Sequence, residues 1–231
     1  MKIKKLSLLE GAKEAEGLAV VIDVFRAFST SCYLSANGVE RILPVEEVRE
    51  AKKLAEENSG FILVGERGGK KLPGFQFGNS PSSIEGRDFS GKTAVLTTSA
   101  GTKGLKAAGG SEEMITGSLV NLGAVVSYIR SREPRTVSLV PMGKDGKKPT
   151  EEDELCADWI EAKLEGKDLK NVNSKIESLK KGDGRRFFKE ENQNWSPKRD
   201  FYLCTDVNRF DFVVKAYPFG KEDLVLRDVS V

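Results

Sequence analysis

The chain of 231 residues contains no histidine. That absence excludes Ser-His-Asp and Cys-His catalysis, phosphohistidine chemistry and every histidine-ligated metal. Any reaction must run on carboxylates, cations, hydroxyls, thiols or a hard metal ion. Cysteine is also scarce. Cys32, Cys156 and Cys204 are odd in number, widely spaced and without a CxxC, so they supply neither a disulfide framework nor a zinc site and suit a reducing, cytoplasmic setting. No long apolar run and no N-terminal apolar leader is present, so a membrane span or signal peptide is not expected. Neither sign of charge dominates. The 37 Lys and Arg and 35 Asp and Glu leave a net +2, too little to imply a nucleic-acid partner.

What is present is ordinary soluble material, 39% apolar and 31% charged, enough to bury a real core. Strand and helix patterns alternate through the first 165 residues. Leu18 to Asp23 is a continuous apolar run of strand length, followed by a helix from Phe28 to Asn37 that Gly38 would close. Arg41 to Val45, Phe61 to Val64, Lys92 to Thr97, Met114 to Gly117 and Thr136 to Pro141 read as further strands. Helices are expected over 46–58, with Val48, Ala51, Leu54 and Ala55 on one face, and over 119–130, capped by Ser118. Thr150 with Asp153 resembles a capping box opening a helix through Leu164. Residues 166–199 are polar with few apolar anchors and read as one or two exposed helices and a mobile loop. Phe201 to Cys204, Phe210 to Val214 and Leu224 to Val229 return to a core-like pattern. The expectation is an α/β fold, layered α/β/α around a mainly parallel, mixed sheet. Residues 1–165 would carry the site, and 166–231 would form an extension or smaller subdomain completing the fold.

The segment VGERGGKKLPGFQFGNSP (64–81) is too long and too rich in glycine for a plain connection. Its glycines expose backbone N–H groups, and Arg67, Lys70 and Lys71 favour an anion. Asn79 and Ser80 close it. In a parallel sheet this loop would share one edge with every other strand-to-helix junction. That edge would collect Asp23, Arg26, Ser29 and Thr30, then Glu66, Arg67, Gly68 and Gly69. It would also hold Thr98, Gly101 and Thr102, Ser118 and Asn121, and Glu152 and Asp153. Hydroxyls, glycines and arginines bind anions, and carboxylates beside an anion suggest Mg²⁺ between them. The set reads as a metal-assisted site for a phosphorylated, strongly anionic small molecule. Structural alternatives stand beside each element: Asp23 as a helix cap, Arg26 in an ion pair, the glycines and Thr98–Thr102 as turns, Glu152 and Asp153 as helix-start acids. Established phosphate motifs are missing. There is no GxxxxGK[ST], Asp23 begins no DxD, and Cys204 precedes Arg209 by one residue too few for a Cys-x5-Arg loop.

Taken together, IDVFRAFST (22–30), SANGVERILPVEE (35–47), GERGGKKLPGFQFGNSP (65–81), TTSAGT (97–102), GSLVN (117–121) and EEDELCADWI (151–160) resemble the 2-phosphosulfolactate phosphatase family over roughly residues 18–165. The resemblance implies a Mg²⁺-dependent acid phosphatase that converts 2-phospho-3-sulfolactate to 3-sulfolactate and phosphate in coenzyme M synthesis. It also implies a mixed α/β fold with the site between two subdomains. In this reading Mg²⁺ is held by Asp23 and one or more of Glu66, Glu152 and Asp153. Arg26 and Arg67, with N–H groups of the glycine-rich and Thr98–Thr102 loops, clamp the phosphate. The chain departs from the family pattern at Gln76 (usually GFD), at Ser99-Ala100 (usually TTxNGT) and at Pro141-Met142-Gly143 (often Cys-Ala-Gly). Two other readings stay open: a phosphatase of another phosphorylated hydroxy acid, and a non-catalytic binder of an anionic metabolite. The expected partner is a small anionic substrate, without nucleic acid or membrane, and self-association is left open.

Overall fold

Leu18–Ile22 (β2) is buried at every position, and its side chains divide by parity. Leu18, Val20 and Ile22 enter one core and Ala19 and Val21 another, as the two-residue period of a strand covered on both faces requires. The computed structural model describes residues 1–220 and 223–231. Among these, the strands form one ten-stranded mixed sheet with helices on both sides. A first parallel block pairs Lys2–Lys5 (β1), Thr136–Pro141 (β8), β2 and Glu113–Gly117 (β7), in that order. A second pairs Arg41–Pro44 (β3), Thr93–Thr97 (β6) and Phe61–Arg67 (β4). Lys70–Lys71 (β5) turns back on the end of β4.

The blocks are joined by a hairpin of Phe212–Phe219 (β9) and Asp223–Ser230 (β10) in the middle of the sheet. β9 is antiparallel to β7, and β10 is antiparallel to β3. Three successive reversals leave the second block running against the first. In a flat sheet the carboxyl ends of β2 and β4 would lie at opposite edges, so the single parallel edge expected from the sequence is not what assembles the site. Strand twist does it instead, turning each strand between β2 and β4 by roughly 20–25° relative to the one before it. On one face, residues from β2, β9, β10, β3, β6 and β4 share a single core with Phe28, Cys32 and Leu34 of Ala27–Ala36 (α2) and Leu105 of Gly101–Ala107 (α4). On the other face the core splits in two. One half packs Leu122–Arg132 (α5) and Glu151–Leu164 (α6) against the first block, and the other packs Val48–Glu57 (α3) against the second. One shared core inside and two outside means the sheet curls about α2 and α4, in the sense that cumulative strand twist allows.

Several local expectations differ from the structure. The edge strand β1 and the short helix Leu8–Lys13 (α1) precede the first element read from the sequence. The 166–199 stretch is ordered into Val172–Leu179 (α7) and 3-10 turns over Asp183–Phe188 and Glu190–Asn192. Phe201–Cys204, core-like in sequence, does bury Phe201 and Cys204, and it does so as part of a helix, Lys198–Cys204 (α8). Leu179, Phe187 and Phe201 meet Leu155 of α6 and Phe25 in a separate apolar cluster, which fastens this segment over the carboxyl end of β2. Ser118 does form a capping box with Asn121, but Thr150 caps nothing through its side chain.

Candidate active site

The curl brings the loops after β2, β4, β6 and β8 around one cleft of about 410 Å³. From the β2 loop come Asp23 and Arg26. The end of β4 and the segment after it contribute Glu66, Gly68, Gly69 and Asn79, and the β6 loop Ser99 and Ala100. Gly143, Lys144 and Asp145 close the side after β8. The first 3-10 turn adds Arg186 and the turn before α8 adds Trp195, neither of which any sequence argument singled out.

Backbone N–H groups around this cleft are largely taken by the protein's own carboxylates. Asp23 Oδ1 accepts Ala27 N–H at 3.0 Å, so its cap role is real, and it still faces the cleft. Glu66 accepts N–H from Ser99 at 2.7 Å and from Gly69 at 2.6 Å. Asp153 accepts Val24 N–H at 2.7 Å and Gly143 N–H at 2.8 Å, tying the β2 and β8 loops together; this is why the Thr150–Asp153 box does not form. Gly101 serves by lacking a side chain. A Cβ there would lie 3.0 Å from Asp23 Oδ2 and 2.8 Å from the Ala27 Cβ, so only glycine lets α4 start against this carboxylate.

The arginines supply what the amides do not. Arg26 is 3% exposed and ion-paired to Asp200 of α8 at 2.6 Å. It also donates to the carbonyls of Trp195 and Gly69, both at 2.9 Å. Asp200 in turn accepts Ser80 Oγ–H at 3.0 Å and Ser82 N–H at 2.9 Å. Arg26 is therefore both an ion-pair partner and a wall of the cleft. Arg186 is less committed. Among the described residues it donates one hydrogen bond, from Nη2 to the Phe25 carbonyl at 2.9 Å, and its buried Nε has no partner. Its guanidinium stacks on Phe187, 4.9 Å from the ring centroid. Burial and the neighbouring Arg26 charge pull its pKa down from the ordinary arginine value, a condition that an incoming anion relieves.

Burial acts on the acids in the opposite sense. It pushes Asp23 up to about 6, with nearby Glu66 adding to the shift and Arg186 opposing it. Glu152 rises to about 7, again chiefly through burial, with Oε2 left without a partner. Asp153 is raised by burial and by the charges of Glu152 and Asp23.

Of the residues read from the sequence, Asp23, Arg26, Glu66, Gly68, Gly69 and Asn79 line the cleft, and Gly101 supports it. Arg67 does not. Its guanidinium braces the carbonyls of Glu66 and Glu46 and the Thr97 hydroxyl, because β4 runs on through residue 67 and turns that side chain away. Ser29 bonds Ser118 at 2.7 Å behind α2, and Thr30 and Asn121 are fully buried there. Thr98 and Thr102 bond each other reciprocally at the start of α4, and Ser80 faces Asp200. Glu152 and Asp153 lie behind the cleft wall. Gln76 accepts Leu63 N–H at 2.8 Å, so this departure from the family pattern touches a strand edge and not the cleft. Ala100, by contrast, lines it.

Four candidate metal ligands thus reduce to two at the cleft, Asp23 and Glu66. Among the described residues no group of three or more His, Cys, Asp or Glu is arranged to hold a metal ion. The pair still fits Mg²⁺, which takes one or two carboxylates and completes its shell with water and phosphate oxygens.

The cleft of this curled α/β sheet thus carries buried Arg26 and Asp23 beside half-buried Arg186, side chains whose chemistry suits a small anion. Comparison with known proteins narrows this. The sequence profile of the 2-phosphosulpholactate phosphatase family matches residues 4–217, and the chain belongs to that family. A probable 2-phosphosulfolactate phosphatase of Carboxydothermus hydrogenoformans is 44% identical over 146 residues, 63% of this chain and 60% of that one. That of Caldanaerobacter subterraneus subsp. tengcongensis is 34% identical over 213 residues, 85% of this chain and 86% of the relative. That of Thermoplasma acidophilum is 39% identical over 151 residues, covering 65% and 66%. The matched stretch spans only about 60% of the length of the first two relatives compared, the second being from Caldicellulosiruptor saccharolyticus, with 61%. Among the described residues no helix is long and apolar enough to cross a membrane.

Proposed function

We propose that this chain is a phosphoric monoester hydrolase that releases phosphate from 2-phospho-3-sulfolactate, the cytoplasmic coenzyme M type of reaction, with Mg²⁺ as cofactor. The observation that carries the reading is Arg186: a half-buried arginine whose Nε is buried and without a partner, in a cleft whose backbone donors are mostly engaged. Such a group has N–H donors to offer an incoming oxyanion, and its planar fork suits phosphate.

Phosphoryl transfer asks little covalent chemistry of a protein and depends on positioning and charge stabilisation. In this reading Arg186 holds the equatorial phosphate oxygens, and Arg26, fixed by Asp200, keeps positive potential on the opposite wall. Trp195 and Phe25 exclude bulk water from one side. Asp23, with Glu66 beside it, would hold Mg²⁺, and the ion would neutralise the charge between carboxylates and phosphate. Lys144 at the cleft mouth is exposed and adds attraction for an anion.

Phosphate release from 2-phospho-3-sulfolactate, measured with Mg²⁺ and with EDTA, tests the proposal; turnover in the first and its loss in the second is the expected result. Binding of the ester without phosphate release would instead make the chain a metabolite binder. Ala100 favours one second reading, because it lines the cleft where the family pattern carries an asparagine. A missing amide there suits a related phosphorylated hydroxy acid, and a panel of such esters in the same assay separates the two.

A further inference from the structure

Beyond the cleft, Gly69, Asn79 and Trp195 form a partition whose far side lines a second cavity of about 350 Å³. The two cavities differ in charge. Asp23, Glu66 and Asp145 line the first, whereas no Asp or Glu among the described residues lines the second, which has Lys71 and Arg87 with the hydroxyls of Ser80, Ser82 and Ser83. Arg87 is fixed there. Its Nε donates to the Ser83 carbonyl at 2.7 Å, and its guanidinium lies 5.1 Å from the Phe77 ring centroid. Neither Lys71 nor Arg87 has an ion-pair partner among the described residues.

Asn79 stands in the partition at 5% exposure with Oδ1 buried and unpartnered. Among the described residues no protein group fixes its amide, so it is free to present either oxygen or N–H to a molecule that crosses between the cavities. A ligand at this junction would supply the hydrogen-bond partner that the buried Asn79 oxygen lacks.

Resting on the phosphatase reading, we infer that the second cavity is the seat of the substrate's other anionic group, a sulfonate or carboxylate. The phosphate is held near Arg186, the carbon frame passes Asn79, and the far anion is met by Lys71 and Arg87. Esters without a second anion bind the first cavity alone.

Calorimetric titration of the wild-type chain and of K71M/R87M with 3-sulfolactate and, separately, with inorganic phosphate tests this. The double variant is expected to bind 3-sulfolactate about tenfold more weakly, equivalent to about 1.4 kcal/mol, and phosphate within about twofold of wild type. K71M alone, at an exposed side chain, guards against a folding defect and is expected to give a smaller loss in the same direction. Unchanged 3-sulfolactate affinity, equal weakening toward both anions, or no 3-sulfolactate binding by the wild type would each overturn the inference. Should the wild type release no phosphate from any ester while the titrations behave as expected, the phosphatase reading falls and the anion seat stands.

Discussion

The guanidinium of Arg26 and the carboxylate of Asp200, 174 positions apart in sequence, meet at 2.6 Å with both side chains out of contact with solvent. Removing one partner of such a pair leaves a buried charge unbalanced, at a cost of about 3–5 kcal/mol. D200N is therefore expected to lower unfolding free energy by an amount of that order in urea titration. R26M/D200L should recover much of that stability, because two apolar groups need no partner, but not the activity. A double variant as active as wild type would show that Arg26 only braces the fold.

Arg186 should dominate the chemistry. R186M is expected to lose roughly 10²–10³-fold in kcat/KM, about 2.7–4 kcal/mol, the range for removing a preorganised oxyanion donor. R186K, keeping charge but not the fork, should recover only part of it. Steady-state kinetics on the same ester, with KM and kcat reported separately, checks this.

Stability should fall as pH rises through the neutral range. Asp23 and Glu152 are raised by burial to about 6 and about 7, and Asp153 is raised as well. The folded chain therefore binds protons that the unfolded chain, near 3.8 and 4.5 for these groups, has already released. Their contribution is complete below the unfolded values and is lost as pH climbs through the folded ones. In metal-free buffer the melting temperature should decline between about pH 4.5 and 7 from these groups, and E152Q should flatten the slope. A wild-type slope of opposite sign in that window that E152Q leaves unaltered would refute the assignment.

Gly69 is held at φ +83°, and a Cβ built there would fall 2.5 Å from Cζ3 of Trp195. G69A is expected to lose about 1–3 kcal/mol for the unfavourable backbone and to push the indole aside, widening the passage between the two cavities. Tryptophan emission in a W159F background should shift toward that of a wetter ring, whereas an unmoved spectrum would mean the indole does not rest on this glycine.

Much of the scaffold is readable from local pattern. The Leu18–Ile22 run, the Gly38 stop with φ +88° and the Ser118–Asn121 box are decided by neighbours in sequence, and each appears within a residue or two of expectation. What escaped depends on distant partners. Asp153 has the spacing of a cap but is claimed by amides of two other loops. Arg67 has the composition of an anion site, yet the extension of β4 turns it to Glu46 and Thr97. Arg186 and Trp195 lie in a stretch whose polarity suggests exposure, because only Phe187, Phe201 and a few others anchor it. The RRFF run at 185–188 was the available signal, an arginine beside aromatics that could stack and shield it.

The hairpin at the centre of the sheet has a temporal meaning. β9 and β10 leave the ribosome after every other strand described, so the blocks that carry Asp23 and Glu66 are made complete yet unjoined. Until residues beyond 211 arrive, nascent β7 and β3 each present an unpaired edge, open to pairing with a neighbouring chain. Assembly of the cleft is thus a late event of synthesis: its opposing walls acquire a common frame only when that ribbon slots between them.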